Sequence, residues 1–221
     1  MNLRVVLADD SAVLREGIAG LLRDEGIEVV GQAADGQGLL HLVEEHHPDL
    51  AVVDIRMPPT HTTEGIDAAL TVRRCFPGTA VLLLSQYVET ENVMNVFAGG
   101  TAGLGYLLKD RLSDIDGFLG SLHRVAAGGT ALDPDVAGRL ISRPHRDQGA
   151  LDELSPRERE VLTLVVEGCS NRMIGAALAL GERSVDVLVR AVFDKLGLPP
   201  EPDDHHRVRA VLGYLGPTVR S

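Results

Sequence analysis

The run from Asp49 to Pro59, DLAVVDIRMPP, constrains this chain more than any other stretch. Its apolar part, Leu50 to Val53, is too short for a helix and long enough for a buried strand. The strand delivers a carboxylate, Asp54, where the apolar run stops. Pro58 and Pro59 then block a quick return to regular structure, because proline lacks an N–H and fixes its own φ. In an open α/β sheet, ligands bind beyond the carboxyl ends of the strands. Asp54 is therefore expected at the functional edge.

Four similar segments surround it. Leu3 to Ala8 runs into Asp9-Asp10-Ser11 and then into a helical pattern of Val13, Leu14, Ile18, Leu21 and Leu22. Glu28 to Ala33 reads as a second strand, with a helical face of Leu39, Leu40, Leu42 and Val43 after it. Beyond the Asp54 strand come a polar loop, Thr60 to Glu64, and a helix from Gly65 to Cys75. Ala80 to Leu84 is a fourth strand ending at Ser85, followed by a helix over Glu89 to Ala98. Leu104 to Leu108 is the fifth, ending at Lys109 and followed by a helix over Leu112 to Ala127. Five alternations of strand and helix with short loops predict a parallel sheet covered on both faces.

The strand ends then converge. Asp9, Asp10 and Asp54 bring three carboxylates to one edge, where their mutual repulsion calls for a cation; hard oxygen ligands with room for water suit Mg²⁺. The Ser85 hydroxyl and the Lys109 ammonium beside them offer a hydrogen bond and a positive charge to a phosphoryl group on Asp54. Each residue alone would pass as a polar strand cap, but together they describe phosphoryl transfer to a carboxylate.

These residues carry a resemblance. Asp9-Asp10, Asp54 with Met57-Pro58, Ser85, and GYLLKD from Gly105 to Asp110 resemble the receiver domain of bacterial two-component response regulators over about residues 3–129. The resemblance implies that Asp54 accepts a phosphoryl group from a sensor histidine kinase. It further implies that Asp9, Asp10, Asp54 and the backbone carbonyl of Arg56 hold Mg²⁺, and that Ser85 and Lys109 bind the phosphoryl oxygens. Tyr106 matches the aromatic switch, which turns inward as the hydroxyl at position 85 moves to the phosphate. The implied fold is a flavodoxin-like (βα)5 domain, with strand order 2-1-3-4-5.

The second half changes character. Residues 130–150 include Pro134, Arg139, Arg143, Pro144, His145, Arg146 and Gly149, a polar run around a short possible helix at Asp135 to Ile141. They are expected to form a linker between domains at 1–129 and 151–221. Ser155-Pro156-Arg157-Glu158 is then a strong helix start, with a hydroxyl cap, proline at the first position and an acid in the first turn. Ser170 caps a second helix over Asn171 to Leu180, and Gly181 precedes a third over Glu182 to Leu196. That spacing suggests a helix-turn-helix; a small dimerisation bundle would give the same pattern.

The stretch 152–198 resembles the helix-turn-helix domain of the LuxR/NarL/FixJ type, and the whole chain resembles a NarL-type response regulator. On the third helix Val185, Leu188, Val189, Val192 and Leu196 share a core face. Arg183, Asp186, Val187, Arg190 and Asp194 lie opposite, toward the major groove, and Arg172 joins this DNA-facing set. The sequence departs from the family at Asp186, Val187 and Leu188, where basic or polar residues and a histidine are usual. Six basic and eight acidic side chains between Leu151 and Leu198 leave this module at −2. Phosphate neutralisation supplies most non-specific affinity, so a monomer is expected to bind DNA weakly. Asp186 can still accept from a cytosine amino group, and Val187 can touch a thymine methyl.

Pro199-Pro200-Glu201-Pro202 precedes a last helix, His205 to Leu215, with Val208, Val211, Leu212 and Leu215 on one face and His205 and His206 expected in solvent. That stripe serves equally to close the small core or to pair with a two-fold mate, as a homodimer on two DNA half-sites requires.

Whole-chain properties bound the rest. At 221 residues the chain has room for one large or two small domains, and its net charge of −11 argues against a broadly basic nucleic-acid binder. No apolar run approaches the roughly 18 residues of a membrane span, and no signal sequence opens the chain, so the expected location is the cytoplasm, with no membrane partner. Cys75 and Cys169 lack disulfide or zinc spacing and are expected as small apolar fillers. Two other functions use some of the same residues. A Mg²⁺-dependent phosphohydrolase would want DxD on one strand end, where this chain has Asp9-Asp10-Ser11. A phosphorylation-switched interaction protein, whose helix-turn-helix no longer grips DNA, accounts for Asp186 and Leu188.

Overall fold

The computed structural model describes residues 3–142, 148–198 and 204–215, with the side chains at 148, 149, 204–206 and 213 set aside. The expected prolyl break at 199–202, the polar residues 143–147 and the exposure of His205 and His206 lie outside what is described. The chain divides into two compact units, Met1–Val88 with Ala102–Gly129, and Glu89–Thr101 with Thr130–Ser221.

In the first unit, β1 (Arg4–Ala8), β2 (Glu28–Ala33), β3 (Leu50–Asp54), β4 (Ala80–Ser85) and β5 (Leu104–Leu108) form a parallel sheet in the order β2-β1-β3-β4-β5. This is the flavodoxin-like order. Strands β3, β4 and β5 are buried along nearly their whole length, as two-sided burial demands of a near-continuous apolar run. Helices α1 (Ala12–Asp24), α2 (Gly36–His46) and α3 (Glu64–Cys75) follow the first three strands. Ser11 caps α1 by accepting from Leu14 N, and Asp35 caps α2 by accepting from Gly38 N at 2.7 Å. Helix α1 buries Ile18, Ala19 and Leu22, whereas Val13, placed by its spacing on the same face, is 86% exposed in the first turn.

Registers of Val5 with Leu50, Asp54 with Leu84 and Ser85 with Leu108 align the strand ends at one edge. After β5 the chain makes a 3-10 turn, Lys109–Ser113, before α5 (Ile115–Ala126). Periodicity alone merges these two into one helix from Leu112.

Helix α4 (Thr90–Ala98) groups with the second unit, where it packs against α6 (Pro134–Ser142) and α11 (Asp204–Leu215). The expected linker is corrected here. Residues 130–142 form β6 (Thr130–Leu132) and α6, whose Val136, Ala137, Leu140 and Ile141 are buried. Those four share one helical face, so an apolar stripe lay within a stretch whose prolines and arginines suggested solvent.

Helices α7 (Gln148–Asp152), α8 (Pro156–Val166), α9 (Asn171–Leu178) and α10 (Glu182–Lys195) complete the unit with α11. Ser155 and Glu158 form a reciprocal capping box on α8. Lys195 Nζ lies 2.7 Å from Glu158 Oε2, tying α10 to the head of α8. Ala179, with φ +53, ends α9 in the left-handed region, two residues before the cap of α10. A side chain at Gly175 would come within 2.7 Å of the Leu180 carbonyl, so the tight turn requires glycine there. Helix α10 buries Val185, Val189, Val192 and Phe193; Leu188, expected among them, is half-buried. Cys75 is exposed and Cys169 half-buried, so neither is the buried filler expected. No helix among the described residues is long and apolar enough to cross a membrane.

Candidate functional site

At the carboxyl edge of the sheet, Asp9, Asp10 and Asp54 each bring a carboxylate oxygen within 4.8 Å of the other two. Lys109 Nζ lies 2.8 Å from Asp9 Oδ2 and 3.0 Å from Asp54 Oδ1. Asp9 is fixed from its other side by Ser11 N–H, which donates to Oδ1 at 2.8 Å. The Arg15 guanidinium holds the Asp9 carbonyl at 2.6 Å and reaches Gln32 at 3.2 Å, so α1, β1 and β2 share one polar clamp.

Burial raises the Asp54 carboxyl above its ordinary value; the Asp9 charge adds to this, while Lys109 and the Arg56 backbone N–H oppose it. Burial also works against the Lys109 charge, but hydrogen bonds and attraction from Asp9 and Asp54 win, and its pKa is raised. The resulting arrangement is a buried carboxylate, a firmly charged ammonium, and two further carboxylates, Asp9 buried and Asp10 exposed, close enough to share a hard divalent cation. Three oxygen donors of this kind fit such an ion, which prefers carboxylates and water.

Ser85 stands at the end of β4, 3% exposed, but its hydroxyl donates to the Tyr87 carbonyl at 2.7 Å and accepts from Tyr87 N–H at 3.3 Å. Tyr106 is fully buried while the Ser85 hydroxyl is engaged by the Tyr87 backbone. Arg56 lays its guanidinium 5.4 Å over the Tyr87 ring, beside the same loop.

Sequence reasoning passed over three residues here. Gly65 approaches so closely that a Cβ would lie 1.8 Å from the Asp54 carbonyl oxygen, while its N–H donates to Ile55 O at 2.9 Å. Glu64 accepts from the backbone N–H of Thr60 at 3.0 Å and of Thr62 at 2.8 Å, and from the Thr60 hydroxyl, which holds its carboxyl down to about 2. His61 Nδ1 lies 3.3 Å from Asp10 Oδ2. Their sole signal was position, in a loop directly after the Asp54 strand.

In the second unit, Arg172, Arg183, Asp186, Val187 and Arg190 are all exposed, Val187 at 68%. Asp186 is held by the Asn171 side-chain amide, whose oxygen in turn accepts from Arg207 at 2.8 Å. This chain of contacts joins α10, α9 and α11 and was not visible in the sequence.

Comparison with known proteins agrees with both halves. Residues 5–115 match the response regulator receiver domain, and residues 152–203 match the luxR family of bacterial regulatory proteins. The transcriptional regulatory protein DegU of Brevibacillus brevis is 33% identical over 216 residues, 89% of each chain. The oxygen regulatory protein NreC of Staphylococcus carnosus is 30% identical over 91% of this chain and 94% of its own. Among solved structures, the response regulator ChrA of a heme-sensing two-component system is 29% identical, covers 97% of this chain and 98% of its own, and superposes with a TM-score of 0.51. RcsB in complex with DNA shares the fold at a TM-score of 0.55 and 24% identity.

A receiver sheet with an acidic, lysine-bearing edge, followed by a helix-turn-helix, defines a transcriptional response regulator of a two-component system. Within that class the chain belongs to the NarL/FixJ family, whose output domain is of the LuxR type.

Proposed function

We propose that Asp54 is the phosphoacceptor and that its phosphorylation governs promoter binding by a homodimer through α10. The observation that carries this reading is the Lys109 ammonium set between Asp54 and Asp9, beside a third carboxylate. An Asp54 oxygen attacks the phosphorus of a sensor kinase phosphohistidine. The P–N bond breaks, its electron pair stays on the imidazole, and Asp54 becomes an acyl phosphate. Lys109 neutralises phosphoryl oxygens, and the Ser85 hydroxyl, released from Tyr87, donates to another. Asp9, Asp10, Asp54 and the Arg56 carbonyl would hold Mg²⁺, which when bound supplies further positive charge to the phosphoryl group.

Ser85 ends β4 shortly before Glu89, where the chain enters α4, packed on α6 and α11. Movement of Ser85 toward the phosphate draws on that segment, with the buried Tyr106 of β5 as the aromatic partner of the switch. A differential stabilisation of about 3 kcal/mol shifts such an equilibrium more than a hundredfold. Arg172, Arg183 and Arg190 then meet phosphates, while Asp186 and Val187 face base edges. The protein acts in the cytoplasm, where kinase and promoter meet.

Binding to the chain's own upstream DNA, at several salt concentrations with and without beryllium fluoride and Mg²⁺, tests this reading. Tight, salt-sensitive binding with the mimic, absent in Asp54→Asn, is expected. The acidic Asp186, fixed at the front of α10, favours one rival, an output that binds protein. That rival predicts no specific DNA binding in either state, although the mimic still alters the receiver.

A further inference from the structure

The loop between β3 and α3 brings an imidazole to the carboxylate cluster. His61 has a φ of +57, in the left-handed region, which costs a residue other than glycine about 1–2 kcal/mol. The surroundings hold it there. His61 N–H donates to the Met57 carbonyl at 3.0 Å. On either side of it, Thr60 and Thr62 donate their backbone N–H groups to Glu64. The Gly65 N–H, on the Ile55 carbonyl, fixes the far end of the loop. Backbone strain that is over-determined in this way marks a residue whose position matters.

The three carboxylates are not held alike. Asp9 is gripped by Ser11 and Lys109, and Asp54 by Lys109 and the Arg56 N–H. Asp10 is the exposed member, and it is met by His61, 3.3 Å away. A carboxylate free to rotate loses side-chain entropy when it binds an ion, and an outer partner that already fixes it removes that cost. The imidazole lies outside the group of oxygens that share the 4.8 Å cluster, so it fits an outer role, as a partner of the ligand and not of the ion.

We infer that His61 is a positioning residue for the divalent cation site, holding the Asp10 carboxylate toward the place it shares with Asp9 and Asp54. This rests on the reading of that cluster as a cation site. Outer partners of metal ligands typically contribute 10- to 100-fold in affinity. His61 and Asp10 are 53% and 36% exposed, so solvent screening brings the expected effect to about five- to tenfold.

The test uses the full chain and Mn²⁺, whose free form is counted by electron paramagnetic resonance, with Mg²⁺ as competitor. His61→Ala is expected to weaken Mn²⁺ and Mg²⁺ by the same factor, and His61→Gln, which keeps an N–H donor, to recover most of the loss. With acetyl phosphate as donor, His61→Ala should raise the half-saturating Mg²⁺ concentration and leave the rate at saturating Mg²⁺ unchanged. Native-like affinity in His61→Ala overturns the inference and leaves the cation site standing. A loss confined to Mn²⁺ also overturns it, since it makes His61 a direct nitrogen ligand. If the native chain binds neither ion, the reading of the cluster itself fails.

Discussion

The Lys109 ammonium lies 3.0 Å from Asp54 Oδ1, although the two residues end strands that are not neighbours in the sheet. Only the common direction of β3 and β5 lets them meet. The contact offsets part of the burial that raises the Asp54 carboxyl, and on the proposed reading it presents a charge to the phosphoryl group. Replacing Lys109 by Met should leave the fold intact and slow phosphorylation by acetyl phosphate by about 10²-fold. Initial rates read on phosphate-affinity gels check this, with Asp54→Asn as the unreactive reference.

Gly65→Ala should be among the most damaging single-methyl changes in the first unit. Its Cβ would meet the Asp54 carbonyl at 1.8 Å, and backbone cannot swing aside as a side chain does. Overpacking of this kind costs about 1–3 kcal/mol. Urea denaturation should show the loss, and Mn²⁺ binding should weaken with it, because the carbonyl belongs to the cluster's own strand.

Glu158 gives the second unit a pH dependence of known sign. Lys195, the Ser155 N–H and the Ser155 hydroxyl hold its carboxyl down to about 2, below its ordinary 4.5. A depressed carboxyl stabilises the fold above the unfolded value and loses that contribution as pH falls from about 4.5 toward 2. Thermal melts across this window should show a steeper decline for the native chain than for Glu158→Gln, which is less stable at pH 7 and flatter below. Ser155→Ala, which removes the cap, should cost about 1 kcal/mol at neutral pH.

Asp186→Lys should raise affinity for DNA of any sequence and steepen the salt dependence by about one unit of log–log slope, as each added phosphate contact does. Asn171→Ala should change sequence preference more than affinity, because it releases the Asp186 carboxylate from its fixed position. Binding isotherms at three salt concentrations, on cognate and scrambled duplexes, separate the two effects.

Much of the fold was legible because its signals are local. Apolar runs marked β3, β4 and β5, Ser155-Pro156 marked the start of α8, and the residues at the strand ends named the groups that meet at the edge. The region 130–142 misled for the same reason. Its prolines and arginines outweighed a stripe of Val136, Ala137, Leu140 and Ile141 that has meaning only when something packs against it. Spacing puts Leu188 on the core face, yet α10 turns it only halfway in.

The sequence by itself determined the alternation of strand and helix, and with it the edge where Asp9, Asp10, Asp54, Ser85 and Lys109 end their strands. Hydrophobic period and turn chemistry are properties of neighbours along the chain. The tertiary structure decided what those groups face: the Ser85 hydroxyl turned to Tyr87, Tyr106 buried, α4 packed with α6 and α11, and His61 set against Asp10. Each of these depends on loop direction and on packing between segments far apart in sequence, and a few kcal/mol spread over many contacts settles them, with no residue pattern to announce the result.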